Sequence, residues 1–496
     1  MTTSNWTLIF KLRNNIPLEG DVELARRELC ALTGTTVEPM DAEALRALSV
    51  QGWLLPKDVA ISREGTAGFC CQIDTPDLTR LFWRLSFCEQ VLAIAPSTDA
   101  SVFRSLPARL TRAQIVNGRA CAVFIPFNAV AEWSDVVARR AKSPKDATAL
   151  LDFLVDALVA PAPAELSQNV RTIVCAKQTT GHLFHGLHVY KAKFFYNLTP
   201  QFLRRRIPEP ELREVEADVA TVLHALRSLP ACSPLHIALS DALSRKFKFR
   251  FLGLGYGRFS LTIQPHRVRA MFVDNLHYLL RSLAVWQWLR AQTGVRPAPI
   301  RVLHGDARRL PLEDASVECI VTSPPYMPAS SGRENYLKSK AYAMTALGLI
   351  APDAVDALEA EQIGSVQRAG GVDDLPEDAR AVVAWMQSDP TRCVKASATA
   401  RYFADLRESL REVHRVLKPG GKCAYVVARR HVFYRYRSRE VVRIVEGADL
   451  TAQLAHQAGL RLLELVHVEL QKQNTVARPR SLDAYYETIV LLQKDC

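Results

Sequence analysis

The chain has 496 residues, 48% hydrophobic and 23% charged, which fits a folded protein of more than one domain and excludes a disordered chain. No apolar run reaches about 18 residues, so no membrane-spanning helix is expected, and Met1–Trp6 lacks the basic and apolar parts of a signal peptide. A formal charge of +12 and a pI near 9.2 fit a polyanionic partner; eleven scattered cysteines without a C-x-x-C pair argue against a zinc ribbon and for reduced thiols in a cytoplasm.

Thr7–Leu12 reads as an opening strand. Asp21–Leu32 has helical spacing, and Gly34 stops it. Gly68–Ile73 reads as a strand. Thr75–Trp83 reads as a helix with Thr75 as cap and Pro76 in its first position. These pieces predict a small α+β domain. Strands at Ala120–Ile125 and Val170–Ala176, with a helix at Ala147–Val159, could complete it, which puts the domain at 1–180. A basic-aromatic stretch follows, His188-Val189-Tyr190-Lys191-Ala192-Lys193-Phe194-Phe195, and Ile207–Leu229 is charged and helix-like.

Phe247–Phe251 reads as a strand running into Leu252-Gly253-Leu254-Gly255-Tyr256-Gly257. Two readings stand side by side. In one, Gly253, Gly255 and Gly257 let the backbone approach a ligand, Met271–Asp274 is the next strand, and Asp274 reaches a ribose. In the other, Phe247–Phe251 turns into Phe259–Ile263 as a β-hairpin; a lone G-x-G-x-G decides little, and Pro265 interrupts the helix that the first reading needs. Asn275–Thr293 is amphipathic at helical spacing, with Leu279, Leu280, Leu283, Trp286 and Leu289 on one face.

A strand at Ile300 leads to Gly305-Asp306, where Asp306 closes it. Cys319–Val321 reads as a buried strand that ends in Thr322-Ser323-Pro324-Pro325-Tyr326. Prolines cannot continue a central ladder, so the chain turns out of the sheet, at the end of a strand where α/β sheets bind ligands. The Ser323 oxygen and the Pro324 carbonyl are two acceptors that can hold an exocyclic amine. Tyr326 offers a face for stacking. The plain alternative is a Pro-Pro-Tyr turn that closes a strand. Met327–Thr399 reads as a mainly helical insertion. Tyr402–Leu417 is a helix ended by Lys418-Pro419-Gly420-Gly421, and Lys422–Ala428 is a strand. Arg429, Arg430, Arg435 and Arg437 interleave with Phe433, Tyr434 and Tyr436, a pattern suited to phosphate contact and stacking or to a solvated loop. Leu462–Leu470 and Tyr486–Gln493 are the last strands, expected as an antiparallel pair on the sheet edge.

From about Ile300 to Ala428, the Asp306 strand, the Ser-Pro-Pro-Tyr turn, and the Leu410–Gly421 helix end resemble the S-adenosylmethionine (SAM)-dependent amino-methyltransferases of nucleic acids. The serine form is most similar to the N4-cytosine DNA enzymes. The resemblance implies an α/β fold: a Rossmann-like class I methyltransferase domain at 181–496, with Ser323, Pro324, Pro325 and Tyr326 catalytic. Asp306 and Tyr190 would bind the SAM cofactor, and no metal is called for. The partner would be DNA. The N-terminal region loosely resembles tRNA guanosine-N2 methyltransferases, which makes tRNA the alternative. The family's D-P-F-x-G-S-G loop is missing, and that departure leaves a nucleic-acid-binding protein without activity as the third reading.

Overall fold

The computed structural model describes residues 5–13, 19–50, 65–129, 186–191, 199–227, 234–251, 258–276, 278–279, 298–327, 336–365, 371–435, 438, 440–469 and 486–495. Contacts divide the chain into one unit of 1–160 with 277–299 and another of 161–276 with 300–496. The sequence reading drew a single boundary at 180/181.

The first unit is an antiparallel sheet with helices on both faces. Its strands are β1 (Trp6–Leu12), β2 (Glu38–Asp41), β3 (Thr66–Ile73), β4 (Cys88–Ile94), β5 (Thr111–Val116) and β6 (Arg119–Phe124), in the order β2-β3-β1-β4-β6-β5. The helices are α1 (Glu19–Thr33), α2 (Ala42–Val50) and α3 (Leu78–Arg84). Strand side chains alternate between faces. Leu8, Phe10 and Leu12 therefore pack with Ala25 and Leu29 of α1 and Leu81 and Phe82 of α3, while Ile9 packs with Leu45 of α2. Gly34 takes φ +72 just past α1, a conformation that favours glycine. The cap of α3 differs from expectation: Leu78 N–H bonds back to the Pro76 carbonyl, so the helix starts later, and the Asp77 carboxylate accepts from Arg80 N–H at 2.8 Å.

The second unit opens with α4 (Pro200–Arg204), α5 (Glu209–Ala225) and α6 (Pro234–Lys246), beside a sheet of β7 (Gly186–Lys191), β8 (Phe247–Phe251) and β9 (Arg258–Ile263) in the order β7-β9-β8. β8 and β9 pair antiparallel from Phe247↔Ile263 to Phe251↔Phe259. The hairpin reading is the one observed. Residues 268–276 are helical, which corrects the strand expected at Met271–Asp274. Met271, Phe272, Val273 and Leu276 are all buried, so this helical segment is covered on more than one side.

A second sheet follows, with β10 (Val317–Thr322), β11 (Leu417–Ala428), β14 (Leu460–Glu469) and β15 (Tyr486–Lys494) in the order β10-β11-β15-β14. β10 and β11 are parallel, and β15 is antiparallel to both β11 and β14. The last two strands do form an antiparallel pair, but β15 lies inside the sheet. Between β10 and β11 come α7 (Tyr336–Ala346), α8 (Val355–Glu361), α9 (Glu377–Ser388) and α10 (Cys393–Val416). β12 (Arg430–Tyr434) and β13 (Val441–Glu446) form a separate hairpin, and α11 (Gly447–Gln457) leads to β14. α10 buries Phe403, Leu406, Leu410 and Val413 in one cluster with Tyr425, Leu454 and Leu492; each such side chain contributes about 1.5–3 kcal/mol over exposure.

Two expectations fail at the sheet edge. Cys319–Val321 is not buried: Val321 is 74% exposed, because β10 pairs with β11 alone among the described strands. Residues 300–304 carry no strand ladder, and Val302 is 91% exposed. Where β10 meets β11 the approach is close. A Cβ on Gly421 would stand 2.8 Å from the Lys418 carbonyl oxygen and 3.2 Å from that of Glu318. Both are backbone atoms, so Gly421→Ala should destabilise the protein by about 1–3 kcal/mol, read as a lower urea midpoint; an unchanged midpoint would show that this approach is not tight.

Residues 130–185, including the expected Ala147–Val159 helix and Val170–Ala176 strand, lie outside the described residues, as do 192–198 and most of Asn275–Thr293. Among the described residues no helix is long and apolar enough to cross a membrane.

Candidate functional site

β10 and β11 run in the same direction, so their carboxyl ends share one rim of the sheet. β15 runs the opposite way, so its first residues come to that rim, with Glu487 opposite Ala428 of β11. The Ser-Pro-Pro-Tyr turn leaves β10 here.

Ser323 and Pro325 are exposed, Pro324 and Tyr326 half-buried, and Met327 buried. Met327 belongs to the core cluster, so the turn rises from the rim and returns to the interior within a few residues. The Tyr402 hydroxyl on α10 donates to the Pro325 carbonyl at 2.9 Å. Burial pushes the Tyr402 phenol above its usual range, so the group keeps its proton and remains a donor. The Tyr326 hydroxyl donates to the Glu487 carboxylate. The Tyr326 ring lines a small cavity with Tyr402, Leu406, His431, Gly447 and Leu450.

Asp306 is held by its own neighbour. Its carboxylate accepts from Arg308 Nη2 at 2.6 Å, Arg308 Nε at 3.0 Å and the Arg308 backbone N–H at 2.8 Å, and this bonding lowers its pKa. Arg308 reaches on to Asp405 of α10 at 3.0 Å and to the Glu361 carbonyl at 2.7 Å. Tyr402 and Asp405 stand three residues apart on α10, a spacing that puts them on one helix face. One helix therefore anchors both the Asp306 loop and the Pro-Pro-Tyr turn. Glu412 and Arg415 extend the attachment to Leu310 and Leu312.

The remaining sequence candidates are dispersed. Gly253, Gly255 and Gly257 lie outside the described residues, between two antiparallel strands. The antiparallel pairing of the flanking strands matches the hairpin reading of the two that the sequence allowed. Asp274 is exposed on the helical segment 268–276. Tyr190 lies on β7 opposite Phe259 of β9. Arg430 pairs with Glu446 at 2.8 Å and Arg435 with Glu440 at 3.0 Å. The Arg429 carbonyl accepts from Gly447 N–H, and Arg437 is outside the described residues. Phe433 of this hairpin is buried, with the Arg392 guanidinium 5.7 Å from its ring. Arg392 and Arg443 also stack on Trp385 at 5.5 and 5.1 Å. Among the described residues no group of three His, Cys, Asp or Glu is arranged to hold a metal.

Sequence reasoning missed Tyr402, Arg308 and Glu487. Tyr402 was seen only as a helix residue, and nothing local marks Glu487, which meets Tyr326 across 161 positions.

No family model matches this chain, and no curated protein does. Among solved structures the chain is similar to a protein of Thermus thermophilus described as a "Putative DNA Modification Methylase". Its complex with S-adenosyl-L-methionine gives a TM-score of 0.21 at 16% identity over 39% of this chain and 52% of that one. Its selenomethionine derivative gives 0.19 at 16% identity over 39% and 51%. The chain thus spans about half the length of that protein, and a likeness this loose carries no argument about activity.

Proposed function

We propose that this chain is a SAM-dependent methyltransferase acting on an exocyclic amino group of a nucleobase, with DNA as substrate and cytosine N4 as the target. The observation that carries the reading is the Ser-Pro-Pro-Tyr turn itself. It projects from the carboxyl end of a parallel strand, exposes Ser323, and is tied down at Pro325 and Tyr326. With the Pro325 carbonyl bonded to Tyr402, the Ser323 oxygen and the Pro324 carbonyl are the acceptors left for two amine hydrogens. Held by both, the amine turns its lone pair away from them. The base has to leave its stack to reach the turn, and the Tyr326 ring offers it a surface.

SAM supplies a methyl group on a positively charged sulfur. The chain's part is orientation: a fixed amine in line with that methyl converts an encounter into a unimolecular step. The proton lost by the amine becomes acidic only as the new N–C bond forms, so a strong base is not required beforehand. On the donor side Asp306 is the residue we retain, since it sits on the same helix-anchored framework as the turn. Asp274 is exposed on a helical segment, and Gly253, Gly255 and Gly257 lie outside the described residues, so neither adds to the donor side of the proposal.

The test is calorimetric titration of the full-length chain with SAM, followed by transfer of labelled methyl to single-stranded DNA, duplex DNA and tRNA. Micromolar binding, worth about 8 kcal/mol, and label on cytosine N4 in DNA are expected. Label on tRNA would replace DNA as substrate. Binding of nucleic acid without SAM binding would overturn the enzyme reading in favour of a protein that binds without transferring, a reading favoured by the helix Glu209–Ala225 that stands where a glycine-rich D-P-F-x-G-S-G loop would be needed.

A further inference from the structure

We propose that Tyr402 and Glu487 are positioning residues that set the shape of the Ser323–Tyr326 turn, an inference that rests on the function proposed above. The turn cannot fix its own place on the rim. β10 ends at Thr322, and the two prolines after Ser323 restrict their own φ but have no N–H to offer a ladder or a turn bond. Backbone of this kind is held in place by the side chains that reach it.

Among the described residues, Tyr402 and Glu487 both do. Tyr402 comes from the helix layer. It is 5% exposed, its ring meets Phe403 edge-on at 5.5 Å, and its hydroxyl holds the Pro325 carbonyl. Glu487 comes from the sheet layer. It starts the antiparallel strand between β11 and β14, in register with Ala428 on one side and Val468 on the other, and its carboxylate holds the Tyr326 hydroxyl. The first contact fixes which proline carbonyl is consumed and which remains for the amine. The second fixes the Tyr326 ring by its far end, which stops it swinging over the space a base would occupy. Neither residue touches the amine, so each acts through the turn.

Their roles separate from general stabilisation by the choice of variants. Tyr402→Phe removes only the donor oxygen. Glu487→Gln keeps an acceptor for Tyr326, while Glu487→Leu removes it at similar volume. Hydrogen exchange of the peptide spanning 319–327, read with kcat and KM for SAM and DNA, gives the answer. Tyr402→Phe and Glu487→Leu should speed exchange at Tyr326 and Met327 about three- to tenfold, the worth of one net hydrogen bond. They should lower kcat about 10- to 100-fold, as a misplaced reacting group does, with KM for SAM little changed. Glu487→Gln should restore both readouts. Unchanged exchange in both Tyr402→Phe and Glu487→Leu overturns the proposal, as does a fall in overall stability with kcat intact. A parent protein that transfers no methyl to any nucleic acid overturns the proposed function instead, and the exchange data still decide whether the two residues hold the turn.

Discussion

On the function proposed above, Ser323→Ala should lower methyl transfer to DNA by about a hundred- to a thousandfold, the loss that follows removal of one preorganised hydrogen-bonding group from a reacting centre. Thermal unfolding stays where it was. Ser323 is exposed at the end of β10, so alanine removes an acceptor without opening a cavity. The amine is then held by the Pro324 carbonyl alone and its lone pair wanders out of line. Because the change acts on orientation, it falls on kcat, with the KM for DNA within about threefold of the parent. Initial rates with saturating labelled SAM check this. Full activity in Ser323→Ala would remove the turn from the reaction and leave it a strand terminator.

Lys246→Ala destabilises the protein by about 3–5 kcal/mol, as breaking one side of a buried ion pair does. The Lys246 side chain is fully buried at the end of α6 and pairs with Glu211 of α5, itself 1% exposed. Its ammonium also donates to the carbonyls of Gln264 at 2.8 Å and His266 at 3.2 Å. Alanine leaves a carboxylate in the interior and two carbonyls without their donor. Lys246→Met with Glu211→Leu should recover most of the loss, since apolar groups of similar size need no partner. Thermal unfolding measures both: a fall on the order of 10 °C for the single variant, and a much smaller one for the double. An unshifted single variant would mean that water reaches the pair.

The elements that were legible in the sequence are those whose signal is local. The short apolar segment Thr7–Leu12 reads as β1, and the Lys418-Pro419-Gly420-Gly421 stop marks the end of the helix ahead of β11. The turn at Ser323–Tyr326 was legible because prolines report their own geometry. Burial was not: Cys319–Val321 has the composition of a central strand, and only the pairing order makes it an edge. Met271–Asp274 could stand as a strand in one of the two readings because a short apolar run fits a buried strand or a buried helix segment equally well. The polar framework of the site was hidden for another reason. Arg308–Asp405, Tyr402–Pro325 and Tyr326–Glu487 join residues 97, 77 and 161 positions apart, and no spacing rule connects such pairs. In the basic-aromatic run at 429–437, Arg430 and Arg435 pair with Glu446 and Glu440, partners that the local pattern does not announce.

The place of β15 has a consequence for how the molecule is made. During synthesis domains fold as they emerge, N-terminal first. The second sheet cannot follow that order. β10, β11 and β14 are all made before β15, yet β11 and β14 meet only through it among the described strands. Until β15 leaves the ribosome, β11 carries one open side and the Tyr326 hydroxyl lacks the Glu487 carboxylate. The rim that bears the Ser323–Tyr326 turn is therefore sealed by a segment translated after the rest of its sheet. A nascent chain caught before that point would hold a complete Pro-Pro-Tyr sequence and an unformed site.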